Sequence, residues 1–132
     1  MILPILRFAA PADARDIAAL LNAVVAEGGR TAIAGPMDGA AVRAWMASAP
    51  ARSCWHVAET EAGEIAGLQL IEPHADLPVE AADIATFVAE GRRRAGIGRA
   101  LFEATVVAAR ALGYGWLHAA VRADNESGLI YY

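Results

Sequence analysis

The sequence predicts an α/β domain built on a mixed, mostly antiparallel central sheet flanked by helices on both faces, and three observations carry that expectation. Residues Ala82 to Val121 read as strand, glycine-containing loop, long apolar helix and strand, which is a parallel βαβ unit. Residues Cys54 to Ile71 read as two strands joined near Gly63, an antiparallel hairpin. Two helical stretches carry apolar residues at three- and four-residue spacing, so each needs a sheet face to cover.

In chain order, Ile2 to Phe8 is short and branched-rich and predicts a first strand, and Pro11-Ala12-Asp13 supplies turn and cap chemistry. From Asp13 to Glu27, Ile17, Leu20, Leu21, Val24 and Val25 make one face of an amphipathic helix, which Gly28-Gly29 ends. Asp38 caps a second helix with Val42, Trp45 and Met46 on one side, and Pro50 breaks it off. Strands follow at Cys54 to Glu59 and Ile65 to Ile71, then a Pro73 to Pro78 turn and a fourth strand at about Ala82 to Val88. The helix Ile97 to Leu112 places Ile97, Leu101, Ala104, Ala108 and Leu112 on one stripe, widened by Phe102, Val106 and Val107, and Gly113 caps its end. Trp116 to Val121 makes a fifth strand, with His118, like His56, read as packing. Asp124 or Asn125 caps a last helix through Tyr131.

Composition narrows the function classes. With 132 residues, 57% hydrophobic and 20% charged, the chain is expected to fold as a single domain over residues 1–132 rather than stay disordered. A net charge of −4 argues against nucleic acid as a partner, so Arg92-Arg93-Arg94 is a local feature. The single cysteine, Cys54, forms no internal disulfide, and no Cys/His spacing suggests a metal. Arg7 interrupts the apolar start after five residues, and no run approaches the roughly 20 residues that span a bilayer. The expectation is a cytoplasmic protein without a membrane partner.

The organising stretch is Ala85 to Leu101, in which a strand leads through three arginines to Gly96-Ile97-Gly98 at a helix start. A helix start presents unpaired N–H groups and about half a positive charge, so glycines there admit an anion. A P-loop needs Lys and Ser or Thr after Gly96, where Ile97 stands. A dinucleotide fingerprint needs a glycine where Leu101 stands. What remains is Arg93-x-x-Gly96-x-Gly98 after Thr86-x-Val88. Further on, Asn125 and Tyr132 stand seven residues apart, two turns along one helix.

Together these segments resemble the GNAT superfamily of N-acetyltransferases, and the order of elements agrees over essentially the whole chain. Arg93-x-x-Gly96-x-Gly98 matches the family's Gln/Arg-x-x-Gly-x-Gly/Ala signature, and Asn125-x-x-(small)-x-x-x-Tyr132 matches its later motif. The resemblance implies the acyl-CoA N-acyltransferase type of fold and acetyl-CoA as co-substrate. Its pyrophosphate would lie on the amides of Arg94, Ala95, Gly96, Ile97, Gly98 and Arg99, with charge added by Arg93, Arg94 and Arg99. Its pantetheine arm would pair with the main chain of Thr86, Phe87 and Val88, and Asn125 joins the cofactor-binding set. Members of the family continue past this tyrosine into two more strands. The domain is thus expected to lack the last strands as given, or to be completed by another subunit, and a homodimer is one candidate assembly.

Acetyl transfer to an amine needs a neutral nucleophile, and an alkyl amine of ordinary pKa is only about one part in two thousand neutral at pH 7, so a base or water relay is required. Resemblance to the phosphinothricin-type branch, with an acidic residue five positions before the equivalent of Val88, implies Asp83 in that role, with Glu80 and Glu72 as alternatives. Tyr132 takes the position of the general acid that protonates the departing thiolate, with Tyr131 as a one-residue alternative. The acceptor would be held by Asn22 to Asp38 and by His74. A small primary amine or amino acid analogue is the expected acceptor, attacked directly in a ternary complex. Alternatives are a protein N-terminus or lysine, a non-catalytic acyl-CoA-binding module, and an RNA-contacting protein.

Overall fold

The structure, a computed structural model, describes residues 5–26, 37–89 and 96–119. Its strands β1 (Ile5–Phe8), β2 (Cys54–Glu59), β3 (Ile65–Glu72), β4 (Ala81–Val88) and β5 (Trp116–Ala119) form one sheet in the order β1-β2-β3-β4-β5. Pairing is antiparallel from β1 to β4 and parallel between β4 and β5. Connection length explains the switch. The β2–β3 turn is closed by Gly63 N–H donating to the Thr60 carbonyl at 2.9 Å, with Gly63 at φ +83°, whereas β4 reaches β5 only through a helix.

Helices α1 (Ala14–Ala26) and α2 (Gly39–Ala47) cover one face and α3 (Ile97–Ala111) the other, as the sequence predicts. Under α1 and α2, Ile17, Leu21 and Val42 bury against Trp55, Val57, Leu68, Leu70 and Phe87. Under α3, Ile97 and Leu101 meet Ala58 and Ala66, and Ala109 meets Ile71, Ala82, Ile84 and Tyr114. Asp38 caps α2, its carboxylate accepting from Ala41 N–H at 2.8 Å.

The entry to α1 is held by charge. Asp13 is buried, and its two carboxylate oxygens accept from Arg7 Nη1 and Nη2, each at 2.8 Å, while Arg7 Nε donates to Glu59 at 2.9 Å. Ala10 N–H adds a bond of 2.7 Å to the same carboxylate. The fork of Arg7 holds the Asp13 carboxyl below the usual carboxylate range, against the opposing effect of burial.

At the other end of the sheet Arg52 stands in the left-handed region at φ 68°. Its guanidinium donates to the carbonyls of Leu112 (2.9 Å) and Val79 (2.8 Å) and lies 4.0 Å from the centre of the Tyr114 ring. The Tyr114 hydroxyl donates back to the Arg52 carbonyl at 2.9 Å. These contacts tie the end of α3 to the starts of β2 and β4 and hold the uncommon backbone angle in place.

Two expectations are corrected. The buried stripe of α3 is Ile97, Leu101, Thr105 and Ala109, not the run through Ala104 and Ala108, and Val107 is 69% exposed. The helix seats an i, i+4 ridge, which is inclined to its axis, on the twisted sheet. His118 does not pack in the core: its side chain is 46% exposed, because alternation puts Leu117 and Ala119 toward α3 and His118 on the opposite face.

Candidate active site

The first turn of α3 is set by two glycines with different tasks. Gly96 is the N-cap, left-handed at φ 79°, and a Cβ there would meet no atom within 4 Å among the described residues. It supplies no capping side chain, so no side chain of its own competes with an anion for the helix-start amides. Gly67 on β3 lies beneath: a Cβ there would stand 2.8 Å from Ile97 Cγ2 and 3.0 Å from Leu101 Cδ1. That close approach lets Ile97 and Leu101 bury completely and sets the helix start against β3. Ile97 is therefore core, Gly98 is half-buried, and Arg99 is exposed.

Gly67 pairs with Val88 across β3 and β4, so the helix start and the last turns of β4 belong to one end of the sheet. Among the described residues, the register of β4 with β5 covers Ala81 to Ile84, and β4 continues to Val88. Phe87 is buried under α1, Val88 packs at the foot of α3, and the Thr86 hydroxyl accepts from Gln69 Nε2 at 2.8 Å. Side chains of this segment thus serve the core, which leaves any recognition there to the main chain.

Towards the start of β4, three titratable groups share one line across the sheet. Glu72 of β3 is the cross-strand partner of Asp83, and Asp83 is the partner of His118 on β5. Alternation puts all three on the face opposite α3, because their neighbours Ile71, Ala82, Ile84, Leu117 and Ala119 pack towards that helix. His118 Nδ1 lies 3.4 Å from Asp83 Oδ1. Burial pushes the Glu72 carboxyl up, and the Asp83 charge adds to it, while His74 acts in the opposite sense. Glu80 is exposed, and its carbonyl accepts from Gly115 and Trp116, a structural role. His74, exposed, takes a bond from Asp76 N–H at 3.1 Å.

The chain between α1 and α2, the expected acceptor segment, is tied at its ends. Asn22 bonds Met37 in both directions, Nδ2 to the carbonyl at 2.6 Å and N–H to Oδ1 at 2.7 Å.

The model of the acetyltransferase (GNAT) family matches residues 21–132. The chain belongs to that family. A phosphinothricin acetyltransferase of the GNAT superfamily from Sinorhizobium meliloti, solved in complex with acetyl-CoA, superimposes with a TM-score of 0.87 at 22% identity, covering 98% of this chain and 72% of that one. A GCN5-related N-acetyltransferase from Kribbella flavida gives 0.82 at 25% identity, covering 96% and 77%. A ribosomal-protein-alanine N-acetyltransferase from Brucella melitensis gives 0.85 at 23%, covering 96% and 80%. No curated protein sequence matches the chain. This GNAT chain therefore has the expected fold, an open mixed sheet between helices.

Of the residues expected at the site, the structure brings Gly96, Ile97, Gly98 and Arg99 to the helix start beside Val88, and puts Asp83 further along the same strand. Arg93, Arg94, Ala95, Asn125 and Tyr132 lie outside the described residues. Sequence reasoning missed Gly67 and His118. Glycine inside an apolar strand is a signal for close backbone approach and points to Gly67, whereas the contact of His118 with Asp83 depends on a strand register that no local pattern reveals. Among the described residues, no group of His, Cys, Asp and Glu could hold a metal ion, and no helix is long and apolar enough to cross a membrane.

Proposed function

We propose that this GNAT protein transfers the acetyl group of acetyl-CoA to a primary amine of a small molecule, an amino acid analogue included, by direct attack in a ternary complex. The observation that carries the reading is the glycine-capped start of α3, without a capping side chain, set against the end of β4. Amides from Arg94 to Arg99 hold the pyrophosphate by charge-assisted hydrogen bonds, and Arg93 adds charge. The main chain of Thr86, Phe87 and Val88 pairs with the pantetheine amides, a reading supported by side chains there that serve the core. That pairing would carry the thioester along β4 towards Asp83. Asn125 completes the cofactor side, and Tyr132 protonates the departing thiolate.

Direct attack is supported by the position of Cys54. Its thiol is pushed up by burial, which suppresses the nucleophilic thiolate, and it packs with Ile71 and Ala82 on the α3 face, opposite Asp83. A protein acceptor is the second reading, supported by the structural likeness to the Brucella melitensis ribosomal-protein-alanine N-acetyltransferase. Acetyl-CoA titration followed by a free-thiol release assay over primary amines and over peptides separates the cases. Release with small amines supports the proposal. Release with peptides alone supports the second reading, and binding without release for any acceptor marks a non-catalytic module.

A further inference from the structure

We infer that the base which deprotonates the incoming amine is Nε2 of His118, with Asp83 as the positioning residue that holds the imidazole. The inference rests on the acetyltransferase reading and reassigns the role that resemblance gives to Asp83.

Asp83 and His118 are register partners on β4 and β5, on the same face of the sheet, with Oδ1 and Nδ1 at 3.4 Å. An ionised carboxylate only accepts hydrogen bonds, so the contact calls for the proton on Nδ1 and leaves the Nε2 lone pair free to accept another. The Asp83 side chain is 34% exposed and that of His118 46%, so neither is sealed off by the described residues. Chemistry favours the imidazole over the carboxylate: an ordinary imidazole takes up a proton about 2.6 pH units above an ordinary aspartate, much nearer to the pKa of an amine. Other charged or titratable groups facing this pair are Glu72, across from Asp83, and His74, which acts on Glu72 from the β3–β4 turn. Tyr114 senses Glu72 and carries Arg52 over its ring.

The ammonium acceptor gives one proton to Nε2, and the neutral amine attacks the thioester carbon. A C–N bond forms and the C–S bond breaks, the thiolate takes a proton from Tyr132, and the second nitrogen proton passes through water to the Tyr132 phenolate and restores it. The imidazolium then returns its proton to water.

The test uses the full chain, acetyl-CoA and the best acceptor from a primary-amine panel. His118→Ala is expected to lower kcat/KM for the amine by about 10²-fold or more, to abolish the acidic limb of its pH profile, and to leave acetyl-CoA affinity unchanged. Added imidazole restores part of the rate to His118→Ala and none to Asp83→Asn. Nitrogen-15 spectra of the wild-type side chain show the neutral ring protonated at Nδ1. A His118→Ala variant that keeps wild-type kcat/KM and its acidic limb overturns the inference while the transferase reading stands, and so does a neutral ring protonated at Nε2. A wild-type protein that releases no thiol with any amine or peptide overturns both.

Discussion

Replacing Gly67 by alanine puts the link between packing and acetyl-CoA binding to a direct test. The new methyl would stand 2.8 Å from Ile97 Cγ2 and 3.0 Å from Leu101 Cδ1, inside any ordinary carbon contact. Ile97 is 2% and Leu101 0% exposed, and the offending Ile97 methyl hangs from a branched Cβ with little rotamer freedom, so neither side chain has room to withdraw. Overpacking of this kind costs about 1–3 kcal/mol. With an unfolding entropy of about 2.1 cal/mol/K per residue over 132 residues, 2 kcal/mol corresponds to a fall in Tm of about 7 °C. Urea unfolding should show a lower midpoint with an unchanged slope. Because relief comes by lifting the first turn of α3 from β3, acetyl-CoA affinity should fall along with stability. A Gly67→Ala protein with wild-type Tm and wild-type acetyl-CoA affinity would refute the argument that this close approach seats the helix start.

Gly96→Ala meets no atom and pays only for the left-handed backbone, about 1–2 kcal/mol of stability. Its effect should instead be on acetyl-CoA, with Kd raised about tenfold or more by calorimetry as pyrophosphate contacts are lost. Tyr132→Phe should lower kcat by about 10²-fold with acetyl-CoA binding unchanged, and unchanged turnover would remove Tyr132 from the general-acid role. Arg7→Ala leaves the Asp13 carboxylate buried without its cation, a loss of about 1–3 kcal/mol at pH 7 by urea unfolding. Stability should also fall in two pH windows. Burial holds the His56 imidazole low, so below about pH 6.5 the unfolded chain binds a proton that the folded one refuses. Asp13 is depressed by Arg7, so its contribution is present above about pH 3.9 and is lost as pH falls through its lower folded value. His56→Gln should flatten the first window alone, and Arg7→Ala the second.

The fold was legible because its signals are local. Alternation and a Gly63 turn mark the β2–β3 hairpin, and a strand, loop and apolar helix mark the parallel crossover to β5. The helix start at Gly96 was legible for the same reason, since a glycine at an N-cap announces a backbone need. What was not legible depends on register and crossing angle. The choice of Thr105 and Ala109 over Ala104 and Ala108 as the buried ridge follows from how α3 lies across the sheet, which its own periodicity leaves open. His118 reads as one more strand residue until β4 and β5 are paired at Asp83, and only then do a carboxylate and an imidazole become neighbours. Gly67 lay between the two cases: its type signals a close approach, but the partners Ile97 and Leu101 come from a helix thirty residues on.

Free-thiol release from acetyl-CoA, followed with purified protein across a panel of primary amines, tests the central claim most directly. The account predicts saturable release that requires both acetyl-CoA and the amine, yields the N-acetylated amine in equal amount, and is weakened by Gly96→Ala chiefly through acetyl-CoA affinity. Tight acetyl-CoA binding with no thiol released for any amine would contradict it.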